Sequence, residues 1–192
     1  PILKKNKLLS DMIQNDTDKK MVQLVEAATD LSCGDICTLL EVAHSLPFVG
    51  NLEGGDTYIN VLTREKESMV IAQYRHPNYD LYKRSIIGEI ERREDEPAVY
   101  RALEEGISGR GLIGIIDEGR TVVRHTVSPI LNSEKKVIGA LTYEYPNAGA
   151  DTESIRIINN QEGKQDPFNR QLGKASDYLQ DAILLYDANG IC

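Results

Sequence analysis

The chain has 192 residues, 41% of them hydrophobic, and its 30 acidic and 22 basic side chains give a formal net charge of −8. That acidity opposes direct contact with nucleic acid or anionic lipid, and no apolar run approaches the ~20 residues that a membrane-spanning helix needs. With no basic-then-apolar leader at its start, the chain reads as cytoplasmic, with a real core and neither membrane nor direct nucleic-acid contact.

In chain order, Leu8, Leu9, Met12 and Ile13 are spaced for one helical face. Met21, Leu24, Val25, Ala28 and Leu31 repeat the pattern after a cap at Asp16 or Thr17. Strand-like segments follow at Asp35 to Ala43, Thr57 to Thr63 and Met69 to His76, separated by loops with Pro47, Gly50 and Gly54-Gly55. Glu96-Pro97 opens a helix that runs to Gly106. Leu112 to Asp117, Thr121 to Ile130 and Lys136 to Tyr145 then read as a three-stranded antiparallel meander. This order predicts an α+β fold, one antiparallel sheet with helices packed on a face. Pro146 to Asp166 is polar and loop-like. Phe168, Leu172, Ala175 and Leu179 then recur at heptad spacing, either a seam with a second copy of the chain or one face of a lone helix. The final "DAILLYDANGIC" reads as one strand and a hairpin turn without its returning strand.

The three cysteines, Cys33, Cys37 and Cys192, are too few for a disulfide framework. Cys33-x-x-x-Cys37 with His44 downstream invites a metal reading, but an apolar setting favours buried free thiols, so no metal is expected. His44 in a loop, His76 before Pro77 and His125 in mid-strand lack the helical setting of a phospho-acceptor. Gly106 to Gly111 lacks the lysine and the strand-then-helix context of a phosphate loop. No nucleophile, base and orienter form a set, so this chain is expected to be non-catalytic.

The stretches "MVIAQYRHPNYDLYKRSIIGEIERREDEPAVYRALEEGISGRG" and "RTVVRHTVSPILNSEKKVIGALTYEYPN" resemble the GAF-like N-terminal sensor domain of soluble bacterial histidine kinases. The matching features are the strand into Arg75-His76-Pro77, the Ile86-Ile87-Gly88 step and the Pro97 helix ending at Gly106. Val123-Arg124 running to Ser128-Pro129-Ile130 and the strand Val137 to Thr142 complete them. "SDYLQDAILLYDANGIC" resembles the opening of a PAS domain. The resemblance divides the chain into N-terminal helices at 1–30, a GAF-like domain at 31–147, a linker and signalling helix at 148–180 and the start of a PAS domain at 181–192. It implies a cytoplasmic input module of a two-component system that binds a small molecule and regulates autophosphorylation. The phosphorelay would run through a C-terminal kinase core using ATP and Mg. It further implies a homodimer and a response regulator, of the kind with an ANTAR RNA-binding output. The alternative is a ligand-free scaffold that only dimerises and couples the kinase.

GAF-like domains, by this resemblance, use one sheet face for helices and the other for a ligand. Strand alternation puts Val123, Val127, Leu141 and Tyr143 on an apolar face, with Arg124, Thr126, Ser128, Thr142 and Glu144 on the other, and Glu41 able to join the latter. The candidate ligand-binding residues are therefore Glu41, Arg75, Arg124, Thr126, Thr142 and Glu144. Glu41 or Glu144 would hold an ammonium group, and Arg75 or Arg124 a carboxylate or phosphate. Ethanolamine suits the carboxylates, because the family includes kinases of ethanolamine utilisation. The competing reading pairs Arg124 with Glu144 across the hairpin as an ion pair that needs no ligand.

Overall fold

The computed structural model describes residues 7, 9–78, 81–82, 84–116 and 121–146. The linker, the heptad seam of Phe168, Leu172, Ala175 and Leu179, and the PAS-like segment lie outside the described residues. Helix α1, Asp16–Ala28, is capped by Asn15, whose side chain accepts from the Asp18 backbone N–H at 2.9 Å. Its C-terminal end is fastened by Arg64, which donates to the carbonyls of Ala27 and Thr29 and pairs with Asp30.

Helix α2, Cys33–Glu53, replaces the strand expected from Asp35 to Ala43. Ser32 and Asp35 form a reciprocal capping box: each side chain accepts the other's backbone N–H. Ile36, Leu39, Leu40, Leu46 and Gly50 are buried at helical spacing. The contiguous apolar run hid this period, since such a run satisfies a period of two as readily as one of 3.6. Glu41 and His44 consequently sit on a helix, where Glu41 is exposed and the imidazole of His44 meets the buried carboxylate of Asp18 at 3.2 Å.

The sheet has six antiparallel strands in the order β3-β2-β1-β6-β5-β4. These are β1 (Asp56–Leu62), β2 (Ser68–Tyr74), β3 (Ile90–Glu91), β4 (Gly109–Ile116), β5 (Thr121–Leu131) and β6 (Val137–Pro146). Helix α3, Pro97–Glu105, lies between β3 and β4, with proline in its first turn and Gly106 left-handed at its end. The architecture is α+β, as the order of elements predicts.

The two faces of the sheet differ in chemistry. Ile59, Val61, Met69, Ile71, Ile130 and Ile138 pack with Met21 and Val25 of α1 and Ile36, Leu39 and Leu40 of α2. Each such side chain contributes about 1.5–3 kcal/mol by burial, so this face is the stabilising core. On the other face Val127 and Ala140 pack with Val99, Ala102 and Leu103 of α3, while Tyr58 and Val70 pack with Ile86 and Tyr82. Between these two small apolar clusters the second face is polar and buried.

Entry into β1 depends on two glycines. Gly54 takes a left-handed conformation (φ 75°) to end α2, and a Cβ on Gly55 would lie 2.2 Å from the carbonyl oxygen of Glu144. Gly55→Ala is therefore expected to push β1 away from β6 and cost about 1–3 kcal/mol. Gly34→Ala, where the new Cβ meets only Ser32 Oγ at 3.6 Å, should gain about 0.4–1 kcal/mol by restricting the unfolded chain. Urea denaturation of the two variants checks both signs.

Candidate functional site

Three rows of side chains cross the polar face. Asp56, Glu144 and His125 lie opposite one another on β1, β6 and β5, followed by Tyr58, Thr142 and Val127, then Asn60, Ala140 and Pro129. Glu144 is fully buried, and both of its carboxylate oxygens are engaged. The Tyr58 hydroxyl donates to Oε1 at 2.9 Å and the Tyr82 hydroxyl to Oε2 at 2.6 Å. The two rings meet edge to face, with centroids 6.4 Å apart.

This register overturns the alternation read from the sequence. The β5–β6 turn pairs Leu131 with Val137, a register that, continued, would set Arg124 opposite Glu144. One extra residue on β6, Ile138, bulges between Val137 and Gly139 and shifts every later pair by one. His125 thus faces Glu144, while Arg124 is opposite Tyr145 and Thr126 opposite Tyr143. Leu141 and Tyr143 share the face that packs on α1 and α2 with Arg124, Thr126 and Ser128, and the competing Arg124–Glu144 ion pair does not form. Thr126 Oγ1 instead accepts from the Gly111 N–H at 3.3 Å. Of the six candidate residues, the structure brings Thr142 and Glu144 together. Arg75 is exposed just past the end of β2, Arg124 is exposed on β5, and Glu41 is exposed on α2.

The cover over the polar face supplies acids that sequence reasoning missed. Glu91 on β3 accepts from Asn60 Nδ2 at 2.7 Å and from Ser68 Oγ at 3.3 Å. Glu96 immediately precedes Pro97 at the start of α3, with its N–H bonded to the Arg92 carbonyl in the turn before the helix. Tyr100 ties the cover down: its hydroxyl accepts from the Ser68 N–H and donates to the Glu91 carbonyl, while the Arg93 guanidinium lies 4.2 Å over its ring. Glu91 and Glu96 belong to a run, Glu89 to Glu96, that reads as a solvated charged stretch. Asn60 between Ile59 and Val61 was the available signal for a polar inner face.

His125 Nδ1 stands 3.7 Å from Glu96 Oε2 and 3.7 Å from Glu144 Oε1. One donor atom from each of Glu96, His125 and Glu144 lies within 4.8 Å of the others, a spacing able to hold a cation. Buried polar atoms without a hydrogen-bond partner include Glu96 Oε2, His125 Nδ1, Thr142 Oγ1 and Asn60 Oδ1. Elsewhere, a groove of about 740 Å³ is lined by Leu31, Arg64, Lys66, Leu103 and Lys136 among others, and none of these belongs to the cluster. Its Arg64 is already engaged with the end of α1, so the chemistry concentrates in the acidic cluster.

Burial, followed by the negative charge of Glu144, pushes the Glu96 carboxyl up to about 9 and that of Glu91 up to about 7. The same two causes raise Tyr58 and Tyr82, so both hydroxyls keep the protons they donate. Unfolded glutamates ionise near 4.5, so between about pH 4.5 and 9 the folded protein binds more protons than the unfolded chain. Its stability should therefore fall as pH rises through that window. Melting temperatures are expected to be higher at pH 5 than at pH 8 in chelator-treated protein, with a flatter slope in Glu96→Gln. A rising slope in the native sequence would refute the buried acids.

The family model described as histidine kinase PdtaS, GAF domain, matches residues 21–162. A solved structure titled as the sensor region of a sensor histidine kinase is similar at TM-score 0.52 and 17% identity, over 68% of this chain. The chain spans 43% of that sensor region. A phycocyanobilin-bound GAF domain from a cyanobacterial phytochrome is similar at TM-score 0.38 and 12% identity, over 80% of this chain and 100% of that one. The A. aeolicus nlh2 GAF domain in an inactive state is similar at TM-score 0.36 and 11% identity, over 81% and 86%. No curated protein matches. With 17% identity the sensor-region likeness speaks for the fold, whereas the family match runs from α1 through the whole sheet, and by it the chain belongs to the histidine kinase PdtaS GAF-domain family.

Proposed function

We propose that this chain is the input module of a cytoplasmic two-component histidine kinase and that its stimulus is a small cation taken into the acidic cluster. The carrying observation is that the fully buried Glu144 and the partly buried Glu91 and Glu96 gather over one sheet face, beside polar atoms that lack partners. Membership of a histidine-kinase GAF family supports the sensory role. Among the described residues no helix is long and apolar enough to cross a membrane.

Cation binding would bring negative charge back to the glutamates and give their oxygens charge-assisted contacts. A primary ammonium, such as that of ethanolamine, has three donors to set against these carboxylates. The response passes to a C-terminal kinase core that uses ATP and Mg, and from it to a response regulator of the kind with an ANTAR RNA-binding output. The chain acts as a homodimer in this scheme, and the segment beyond residue 147 links the domain to the PAS module.

In the full-length kinase, autophosphorylation titrated with ethanolamine and with divalent metal salts should respond to at least one cation. Glu144→Gln should shift that response by about 10- to 100-fold in concentration, the equivalent of one charged hydrogen bond. Autophosphorylation unaffected by every cation, in a kinase that dimerises normally, would favour the ligand-free scaffold.

A further inference from the structure

Glu96, His125 and Glu144 come from three different elements, the start of α3, β5 and β6, and converge on one point. We infer that they form a binding site for a first-row divalent transition metal ion, with Glu96 Oε2, His125 Nδ1 and Glu144 Oε1 as ligand atoms. This rests on the reading of the polar face as a cation site and names the cation.

The acids alone would not carry the assignment; His125 does. It is 5% exposed, its Nδ1 has no hydrogen-bond partner, and that atom is aimed between the two carboxylates at 3.7 Å from each. Were the ring a structural cation, its N–H would be spent on one of them at about 2.7–2.9 Å. At 3.7 Å it is bonded to neither. A tetrahedral ion with ligands at about 2.1 Å separates them from each other by about 3.4 Å, so shifts of a few tenths of an ångström close the two His125 pairs on a metal, and the two carboxylates, within 4.8 Å of one another, draw together on it by at most about 1.4 Å. An ammonium with contacts near 2.8 Å needs its acceptors about 4.6 Å apart, further than these two pairs stand.

Donor chemistry narrows the ion. One imidazole nitrogen with two carboxylate oxygens suits zinc, manganese, cobalt or nickel, whereas magnesium and calcium favour oxygen alone. Each carboxylate oxygen has two lone pairs, so Glu144 Oε1 can accept from Tyr58 and still face the metal. Tyr58 and Tyr82 fix the orientation of that carboxylate, as outer partners of metal ligands do. Thr142 Oγ1, fully buried and unpartnered in the next row, is placed to bond a water completing the coordination.

The test uses the 192-residue chain, stripped with chelator and titrated with Co(II) and Zn(II). The expected result is one ion per chain, visible d–d absorption with Co(II), and a raised melting temperature. Glu96→Gln and His125→Leu, each checked for folding by circular dichroism, should each weaken affinity more than tenfold, and Tyr82→Phe about 10- to 100-fold. Replacing Cys33, Cys37 and Cys192 by Ser should leave affinity unchanged. If binding is absent, if it survives both ligand variants, or if it follows the cysteines, the metal site is overturned. Ethanolamine stabilisation sensitive to Glu144→Gln, without metal binding, would overturn the metal and keep the sensor. Stoichiometric metal binding with kinase autophosphorylation unmoved by metal and by ethanolamine would keep the metal site and overturn the sensor.

Discussion

The structure turns on one fully buried carboxylate. Taking Glu144 out of water costs several kcal/mol unless its oxygens find donors inside. Tyr58 and Tyr82 provide them, one from the sheet and one from the segment that covers it. The cover is thus anchored to the sheet by a charge that cannot be left unpaired, together with the hydrogen bonds of Tyr100 and Glu91 and two small apolar clusters. Once Glu144 is fixed, its charge suppresses ionisation of its neighbours. Burial and that charge together raise the carboxyl of Glu91 to about 7 and that of Glu96 to about 9, well above the range that water would set.

Which side chains meet that carboxylate is decided by Ile138, the extra residue in β6. With a period of two, a slip of one residue exchanges the faces of a strand. The bulge therefore substitutes His125 for Arg124 opposite Glu144. An arginine there would have closed the site as an ion pair. The histidine leaves an unpartnered ring nitrogen between two acids, and the difference between a sealed pair and a site open to a cation comes from one inserted residue.

Much of the fold was legible because its signals are local. Pro97 with Gly106 bracketed α3, and the turn at Asn132 marked the β5–β6 hairpin. What failed required knowledge of neighbours. The run from Ile36 to Leu40 satisfies both periods, and only the capping pair Ser32 and Asp35 distinguishes helix from strand. The bulge is signalled only by Gly139 beside Ile138, and a strand glycine marks a bulge and a close backbone approach alike. Glu91 and Glu96 sit in a stretch so charged that solvent is its natural setting, and their burial comes from Tyr100 and Arg93 holding the cover on the sheet. Thr142 and Glu144 do share one face of β6, but Val127 and His125 stand opposite them where the alternation read from the sequence set Arg124 and Thr126 beside them.

The distribution of the acids across central and peripheral elements bears on how a signal leaves the domain. Glu144 is on a central strand of the sheet, whose other face forms the main core, whereas Glu91 lies on a two-residue edge strand and Glu96 at the start of a nine-residue helix. A cation in the cluster therefore acts between a rigid partner and a lightly held one. On the proposed reading, ionising Glu91 and Glu96 without the cation loosens the cover, and adding the cation draws it back. Those are two states with different affinity for the same ligand, the condition under which binding shifts a population. A site built wholly on the sheet would bind as well and report nothing, because no element would have an alternative position to take.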